Sequence, residues 1–470
     1  MKLIIILFTM LLIFGCGSST GTKTSIRDKV TVKENSLPSS KKYHTEEFEI
    51  PECLDSNPKV QFIKTDDDWN MISAKRKTIF CVKPGAYHGE IYVKRKGTKE
   101  NPLYLLLDNG NDDHPVKLDK SLLANVSLRF EDSDYWIVDR MANIDTFGEI
   151  DDSIVPMVFI NSSNNIINRY YATHANDGIE IRDNSNNNVI QNSRIENMTD
   201  IGRRNDRSCI LLLTRNKNSE VKNTKIIKNE LKNCNDGVHL LWRSNVGSVK
   251  YNGTVIYDND ISVDSSIYTD CNGTLTPSGE CSYSEGAIDI KSGSSDINNP
   301  IIIRRNRMWG FRKSDTTNSL EADPGVAVVF HHGVTHVVVE DNVIFDSAQG
   351  IMAVDKEPKE YSLSSSNMVN NFMTDVRRPF VLSDAKDIDI YDNYINRSKV
   401  AWFASYGSKN IKLYDNWIAN KLDSSGIDSE DSIIEEGVTN YFKIETSKIE
   451  SRDFFTDKFS VTPTLVKVLK

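Results

Sequence analysis

A loose internal repeat constrains the fold of this chain more than any other feature of its sequence. Short strands rich in β-branched residues recur between residues 135 and 420, and many of them end in Asn. The clearest copies, separated by roughly 25–50 residues as in stacked repeats, are residues 300–306, 336–342, 387–393 and 410–416. Asn tolerates a left-handed backbone and hydrogen-bonds well to a stacked copy of itself. The pattern therefore predicts a solenoid with Asn at its corners.

A second set of strands opens with an Asp-Gly or Glu-Gly pair, in residues 176–181, 235–240 and 285–290. Coils of a solenoid stack about 4.8 Å apart, so equivalent positions of these strands should line up on one face. Aligning the three strands places Glu180, His239 and Asp289 in one column. We expect these side chains to face a common groove.

The neighbouring column contains Arg182 and Lys291, with Arg243 close by. Residues alternate between the two faces of a strand, so Asp289 and Lys291 should lie together on the open face while Ile288 and Ile290 are hidden. A solvated surface ion pair is the simpler interpretation of this Asp-x-Lys, because exposed pairs are common and contribute little.

The pattern indicates one domain over residues 46–470. The Asp-Gly pairs open strands instead of joining two of them, which disfavours an antiparallel sandwich, the alternative fold. Residues 66–72 predict a short helix at the N-terminal end, and the polar residues 421–470 predict a C-terminal cap that prevents edge-to-edge pairing. Residues 263–284 look like an insertion that walls the open face.

The first 16 residues have the pattern of a signal peptide. Met1-Lys2 precedes an apolar run at residues 3–14, which is too short for a comfortable membrane span. Residues 12–16 resemble a bacterial lipobox, so Cys16 is the expected lipidation site, with an ordinary cleaved signal as the alternative. Residues 17–45, rich in Ser, Thr and Lys, predict a flexible tether. We expect an exported outer-membrane or cell-surface lipoprotein that contacts the membrane only through its lipid.

Charge and cysteine content narrow the function. A net charge of −9 argues against nucleic-acid binding and, more weakly, against an anionic ligand unless a local groove is positive. Of seven cysteines, six remain beside Cys16, an even number in an exported chain. The pairs expected are Cys271 with Cys281, Cys53 with Cys81, and Cys209 with Cys234. For the last pair, buried thiols are an equal alternative.

The N-terminal region resembles a known class of secreted proteins. A Pro84-Gly85-x-Tyr87 turn is followed by a strand, then by residues 97–102 with the pattern Gly-Thr-x-x-Asn-Pro, and by another strand. This order is similar to the opening of secreted right-handed parallel β-helix proteins, especially polysaccharide lyases. The resemblance implies an all-β, right-handed parallel β-helix with an N-terminal cap and a polar C-terminal cap.

Residues 284–296 resemble a motif of family 6 polysaccharide lyases, the alginate lyase and chondroitinase B type. In that motif a Glu-bearing strand leads into a Lys-Ser pair, which implies that Lys291 is the general base. Residues 325–333 resemble the family's next motif, which ends in Arg-His-Gly, but here His331 stands in place of the Arg. The Asp-Gly-x-acid pattern is also similar to family 9 pectate lyases.

The resemblance implies β-elimination on a uronic-acid polysaccharide. Removing the proton at carbon 5 builds charge on the adjacent carboxylate, so a cation must neutralise that charge. Glu285 and Asp289 lie near the positions of the family's calcium ligands, though at a different spacing, and with Glu180 they are the expected Ca²⁺ site. His331 would neutralise charge when protonated, or donate the proton.

Other groove residues are expected to bind the sugar. Arg243 beside Trp242 suits a sugar carboxylate and a sugar ring, and Arg243 is also counted among the catalytic residues. His239, Arg182 and His332 are further predicted substrate contacts. The expected partner of this monomeric protein is thus an acidic polysaccharide.

Two alternatives stay open. A glycoside hydrolase needs two carboxylates flanking the bond, which Glu180 and Asp289 would supply. The Asn-Thr-Asp and Gly-His-Gly signatures of β-helix polygalacturonases, however, are absent from the sequence. A glycan-binding or structural β-helix without catalysis is the second alternative, because a fold does not define a function.

Overall fold

The structure is a computed structural model, in which residues 44–470 form one compact unit. It describes residues 43–73, 76–85, 87–108, 126–144, 155–198, 207–216, 219–241, 250–264, 285–312, 325–331, 333–354, 361–396, 398, 403–419 and 438–444. The predicted signal peptide, Cys16 and nearly all of the predicted tether lie outside these residues. No helix among the described residues is long and apolar enough to cross a membrane.

Strands and one 3-10 helix, Asp66–Ser73, account for the regular structure of the described residues. The first strands are β1 (Val60–Ile63), β2 (Ile79–Val82), β3 (Gly89–Val93), β4 (Leu103–Leu107), β5 (Val126–Glu131), β6 (Trp136–Asp139), β7 (Ala142–Ile144), β8 (Met157–Ile160), β9 (Ile166–Asn168), β10 (Tyr171–Thr173), β11 (Ile179–Arg182), β12 (Val189–Gln191), β13 (Arg194–Glu196), β14 (Ser208–Leu213), β15 (Lys225–Ile227), β16 (Glu230–Lys232) and β17 (Asp236–Leu241). They are followed by β18 (Val255–Tyr257), β19 (Asp260–Ser262), β20 (Gly286–Ile290), β21 (Ile301–Arg304), β22 (Arg307–Trp309), β23 (Val326–Phe330), β24 (Val334–Thr335), β25 (Val337–Glu340), β26 (Val343–Ala353), β27 (Leu363–Val369), β28 (Phe372–Ser383), β29 (Ala385–Tyr391), β30 (Tyr394–Asn396), β31 (Phe403–Tyr406), β32 (Lys409–Ala419) and β33 (Val438–Ile444).

The strands stack into three parallel sheets. The site sheet runs β8, β11, β14, β17, β20, β23 and on into the C-terminal half of β26. The second sheet runs β9, β12, β15, β18, β21, β25, and the third runs β10, β13, β16, β19, β22. Consecutive strands such as β11, β12 and β13 supply one strand to each sheet, and β14 begins the next coil. The predicted all-β parallel β-helix is confirmed, and the antiparallel sandwich is wrong.

Asn residues form a ladder at the corner between the second and third sheets. Its members are Asn229, Asn259, Asn306, Asn342, Asn371, Asn393 and Asn416, all buried. Each amide oxygen from Asn259 onward accepts from the backbone N–H and the side-chain amide of the preceding member, as Asn306 does from Asn259 at 3.1 and 2.9 Å. The prediction that corner Asn residues bond their stacked neighbours is confirmed.

The left-handed backbone lies one residue earlier than the ladder. Lys228, Arg305 and Asp341, each directly before a ladder Asn, have φ angles of 55–57°. The chain turns at these residues, and the turn aims the following Asn side chain inward along the solenoid. The prediction that Asn itself adopts the left-handed backbone at these corners is therefore wrong. The ladder Asn contributes the hydrogen bonds, and the residue before it has the positive φ.

The two ends differ in how well they match prediction. At the N-terminal end, the predicted helix is a 3-10 helix, and its Trp69 and Ile72 are buried. At the other end, β33 pairs in parallel with β32, so residues 438–444 continue the solenoid where a cap was expected.

Most of the predicted insertion, with Cys271 and Cys281, lies outside the described residues. Disulfides join the other two predicted pairs, Cys53–Cys81 and Cys209–Cys234.

Glu340 carries an unusual charge environment on the outer face of the second sheet. Burial raises its pKa to about 7, with Asp341 acting in the same direction and Arg304 opposing them. Its side chain is 10% exposed, and its Oε1 lies 3.5 Å from Nη1 of Arg304. Between the ordinary pKa and about 7 the folded state binds more protons than the unfolded state, so stability falls as pH rises through this window.

Replacing Glu340 with glutamine should remove this loss. As the pH rises from 5 to 8, the free energy of unfolding of Glu340→Gln should increase relative to that of wild type by about 2–3 kcal/mol, since each pKa unit corresponds to about 1.4 kcal/mol. Thermal unfolding at both pH values measures the difference. Glu100→Gln, at an exposed glutamate, is the matched control. An equal effect of Glu340→Gln at pH 5 and pH 8 would contradict the prediction.

Candidate active site

The register of the site sheet places the predicted column in order. Glu180 pairs with Leu211, Leu211 with His239, His239 with Asp289, and Asp289 with Val329. His239 and Asp289 are therefore neighbours on adjacent coils, as predicted. Glu180 is three coils from Asp289, about 14 Å at 4.8 Å per coil.

Asp289 is the centre of a polar cluster on this sheet. Its carboxylate is fully buried, and its Oδ2 lies 3.0 Å from Nζ of Lys291. The Nε2 atoms of His239 and His331 each approach an oxygen of Asp289 at 3.6 Å. The structure thus brings together five of the residues that the sequence singled out, counting Glu285, which belongs with Asp289 and His331 to one group of mutually close ligand atoms.

Lys291 and His331 occupy equivalent positions on adjacent coils. The N–H of His331 donates to the carbonyl of Ile290 at 3.0 Å, which sets the two side chains side by side directly after their strands. Their side chains are 14% and 12% exposed, whereas that of Asp289 is fully buried. Lys291 and His331 therefore form the accessible surface of the cluster, and the Asp289 carboxylate lies buried beneath them.

His239 lies under the cluster. It is 1% exposed, and its Nδ1 faces Oδ2 of Asp236 at 3.3 Å and Oγ of Ser208 at 3.4 Å. Burial, followed by the charges of Lys291 and His331, holds its pKa well below the ordinary range, so the imidazole is neutral near pH 7. A buried, neutral side chain offers no surface to a polysaccharide, and the predicted substrate contact of His239 does not fit its position.

Glu180 and Arg182 form a separate pair. Their side chains are in direct ionic contact and almost fully buried. Burial, then the charges of Arg215 and Arg129, lowers the pKa of Arg182 to about 10. Arg182 shares the column of Lys291 but is three coils away, with Leu213 and Leu241 between them. Sharing an ion with Asp289 is therefore excluded for Glu180, and its predicted place in the calcium site is wrong.

Asp236 and Ser208 are members of the cluster that the sequence did not reveal. Asp236 was interpreted through the Asp-Gly pair that it forms with Gly237, as a backbone signal. Gly237 does have such a role, because a Cβ there would lie 2.5 Å from the carbonyl oxygen of Ala287. His239 follows Asp236 by three residues, and this spacing was the signal in the sequence that the Asp236 carboxylate also contacts a histidine. The predicted residues Trp242, Arg243 and His332 lie outside the described residues.

Two groups in this cluster have the donor atoms to bind a metal ion. They are Asp236, His239 and Asp289, and Glu285, Asp289 and His331, and within each group the ligand atoms lie within 4.8 Å of one another. Calcium takes six to eight oxygen ligands. Glu180 lies too far away to belong to the expected set of calcium ligands. Some of the donor atoms beside Asp289 are histidine nitrogens, not oxygens. The described donors therefore do not fit the expected calcium site.

No protein-family model and no curated protein matches the chain. Among solved structures, a mannuronic acid specific family 6 polysaccharide lyase from human gut microbiota is 14% identical, with 87% of this chain and 97% of that chain covered and a TM-score of 0.54. The family 6 alginate lyase AlyGC is 15% identical, with 86% of this chain and 57% of that chain covered and a TM-score of 0.50. The chain shares the β-helix fold of family 6 polysaccharide lyases, and the resemblance noted in its sequence is confirmed at the level of the fold.

Proposed function

We propose that this protein is a polysaccharide lyase that cleaves a uronic-acid polysaccharide by β-elimination. The observation that carries the proposal is the position of Lys291. Its Nζ lies 3.0 Å from the buried Asp289 carboxylate and beside His331, at the accessible surface of the polar cluster. A lysine and a histidine side by side at the accessible surface supply a base and a second proton-transfer group within one site.

The reaction needs both groups. Uncharged Lys291 takes the proton at carbon 5, the released electron pair forms a double bond to carbon 4, and the bond from carbon 4 to the glycosidic oxygen breaks. The departing oxygen takes a proton, which His331 is positioned to donate. The same histidine, when protonated, would instead neutralise the substrate carboxylate, the role of the Arg in the resembling motif.

Hydrolysis through Glu180 and Asp289 is disfavoured by the register. The carboxyl groups of glycosidases lie about 5–10 Å apart. Three coils separate Glu180 from Asp289, about 14 Å. Glu180 is moreover paired with Arg182. Binding of a glycan without cleavage is the remaining alternative, and it is an outcome of the test below.

Export is part of the proposal. Two disulfides within the described residues fit an oxidising compartment. With the lipobox-like residues 12–16, they support a lipoprotein at the outer membrane or cell surface. Labelling with a radioactive or alkyne fatty acid, lost in a Cys16→Ser variant, would test the anchor.

Incubation with alginate, pectate, and chondroitin or dermatan sulfate tests the activity. We expect ultraviolet absorbance from the conjugated product to rise with at least one of these polymers. New reducing ends without absorbance would indicate hydrolysis. Binding without cleavage of any polymer would overturn the lyase proposal in favour of a glycan-binding protein.

A further inference from the structure

Lys291 and His331 lie on the same face of the site sheet. They directly follow β20 and β23, which pair with each other in that sheet. Nζ of Lys291 lies 3.0 Å from Oδ2 of Asp289, and Nε2 of His331 lies 3.6 Å from Oδ1 of the same carboxylate. Because Asp289 is buried beneath both side chains, a substrate reaches the two nitrogen atoms from one direction.

A sugar ring has no room to enter between the two groups. A ring contacted on both faces separates the contacting atoms by about 7 Å, the sum of two van der Waals contacts. The coils that carry Lys291 and His331 are about 4.8 Å apart, and the bond of 3.0 Å from the His331 N–H to the Ile290 carbonyl holds them together. The Asp289 carboxylate, moreover, contacts both nitrogen atoms and fills the space between them. A bound ring therefore lies over Lys291 and His331 and turns one face to both.

The face on which the two groups act decides which uronates can react. The base takes the hydrogen at carbon 5, and the acid protonates the oxygen that leaves carbon 4. When both act on one face of the ring, the C5–H and C4–O bonds must lie on that same face, which defines a syn elimination. The two bonds share a face in D-mannuronate and D-glucuronate, but lie on opposite faces in L-guluronate, L-iduronate and D-galacturonate.

We propose that this protein performs syn elimination on polymers of D-mannuronate or D-glucuronate, an inference that rests on the lyase function proposed above. The C5–H bond breaks and its proton goes to Nζ of Lys291. The electron pair forms the double bond between carbons 4 and 5, the C4–O bond breaks, and the departing oxygen takes the proton from Nε2 of His331. Lys291 ends the step charged and His331 ends it neutral, so both protons and the total charge are accounted for.

Pairs of polymers that differ only in configuration at carbon 5 test the proposal. Polymannuronate is compared with polyguluronate, and chondroitin 4-sulfate with dermatan sulfate, whose uronates are glucuronate and mainly iduronate. In at least one pair, kcat/KM for the unsaturated product should be at least about 100-fold higher for the polymer with both bonds on one face, because small misplacements of reacting groups cost about that much.

Two other outcomes have separate meanings. Equal or faster cleavage of polyguluronate, of dermatan sulfate or of polygalacturonate would overturn syn elimination while leaving the lyase function in place. No ultraviolet absorbance with any of these polymers would overturn the lyase function itself, and the stereochemical inference with it.

The variant His331→Ala tests whether the proton donor acts beside the base. On the polymer that wild type cleaves fastest, kcat should fall at least about 100-fold while KM stays within a few fold. His88→Ala is the matched control, because exposed His88 faces Asp66 at the same 3.6 Å and lies outside the cluster. Thermal unfolding identifies a variant that fails to fold, and His331→Gln then replaces His331→Ala. Full activity in a folded His331 variant would overturn the proposal.

Discussion

Replacing Lys291 with alanine is expected to abolish the formation of unsaturated product from whichever polyuronate the wild-type protein cleaves. General base catalysis contributes about 10²–10⁴-fold to a rate, and a loss in kcat of at least about 10³-fold is expected here because no second lysine stands beside Asp289 among the described residues. The loss should fall on kcat and leave KM within a few fold. Initial rates of absorbance increase at several polymer concentrations measure both constants.

Two further variants separate the proposed role from simpler ones. Lys291→Arg places a permanent positive charge beside Asp289 on a side chain that does not lose its proton, so it should be as inactive as Lys291→Ala. Lys412→Ala removes a lysine that faces Asp389 at 3.5 Å on another sheet, and it should retain full activity. Substantial activity in Lys291→Arg would show that charge, not proton transfer, is what Lys291 supplies.

The fold was predictable because its signal is repeated along the chain. Each coil offers a β-branched strand, a turn and an Asn, so errors in one coil leave the class unchanged. The corner ladder was predictable for the same reason. The position of the left-handed residue was not, because Lys228 and Arg305 do not belong to the residue types that favour this backbone. The hydrogen bonds of the ladder impose it.

The sequence predicted which residues form the cluster around Asp289, but it did not give the distance of Glu180 from that cluster. Three strands were aligned by their Asp-Gly or Glu-Gly openings, which correctly gave one column. Strand β14 carries no such opening, and its apolar residues Cys209–Leu213 gave no reason to insert a coil between Glu180 and His239. One unmarked coil moved Glu180 about 4.8 Å further from the cluster. Patterns reveal which residues share a face, whereas adjacency requires every coil to be counted.

Replacing Asn306, a central member of the corner ladder, with alanine is expected to lower the free energy of unfolding strongly. Its side chain accepts from Asn259 twice, and donates to Oδ1 of Asn342 at 3.1 Å and to the carbonyl of Ile256 at 2.9 Å. Alanine removes all four bonds and leaves the buried backbone N–H of Asn259 without its acceptor, whereas the side-chain amide of Asn259 keeps the carbonyl of Ile226 at 2.9 Å. Since an orphaned buried polar group costs about 1–3 kcal/mol, we expect a loss of about 3–5 kcal/mol.

Urea unfolding of wild type, Asn306→Ala and Asn298→Ala measures this cost. Asn298 is exposed in a turn and makes a weak side-chain contact to Asp296 at 3.3 Å, so its replacement should change stability by less than about 0.5 kcal/mol. A loss below about 1 kcal/mol in Asn306→Ala would mean that the ladder selects the register of the coils without stabilising them. The predicted loss would mean that the same side-chain hydrogen bonds both stabilise the coils and select their register, because an Asn bonded to its counterparts one coil away fixes where each coil must lie.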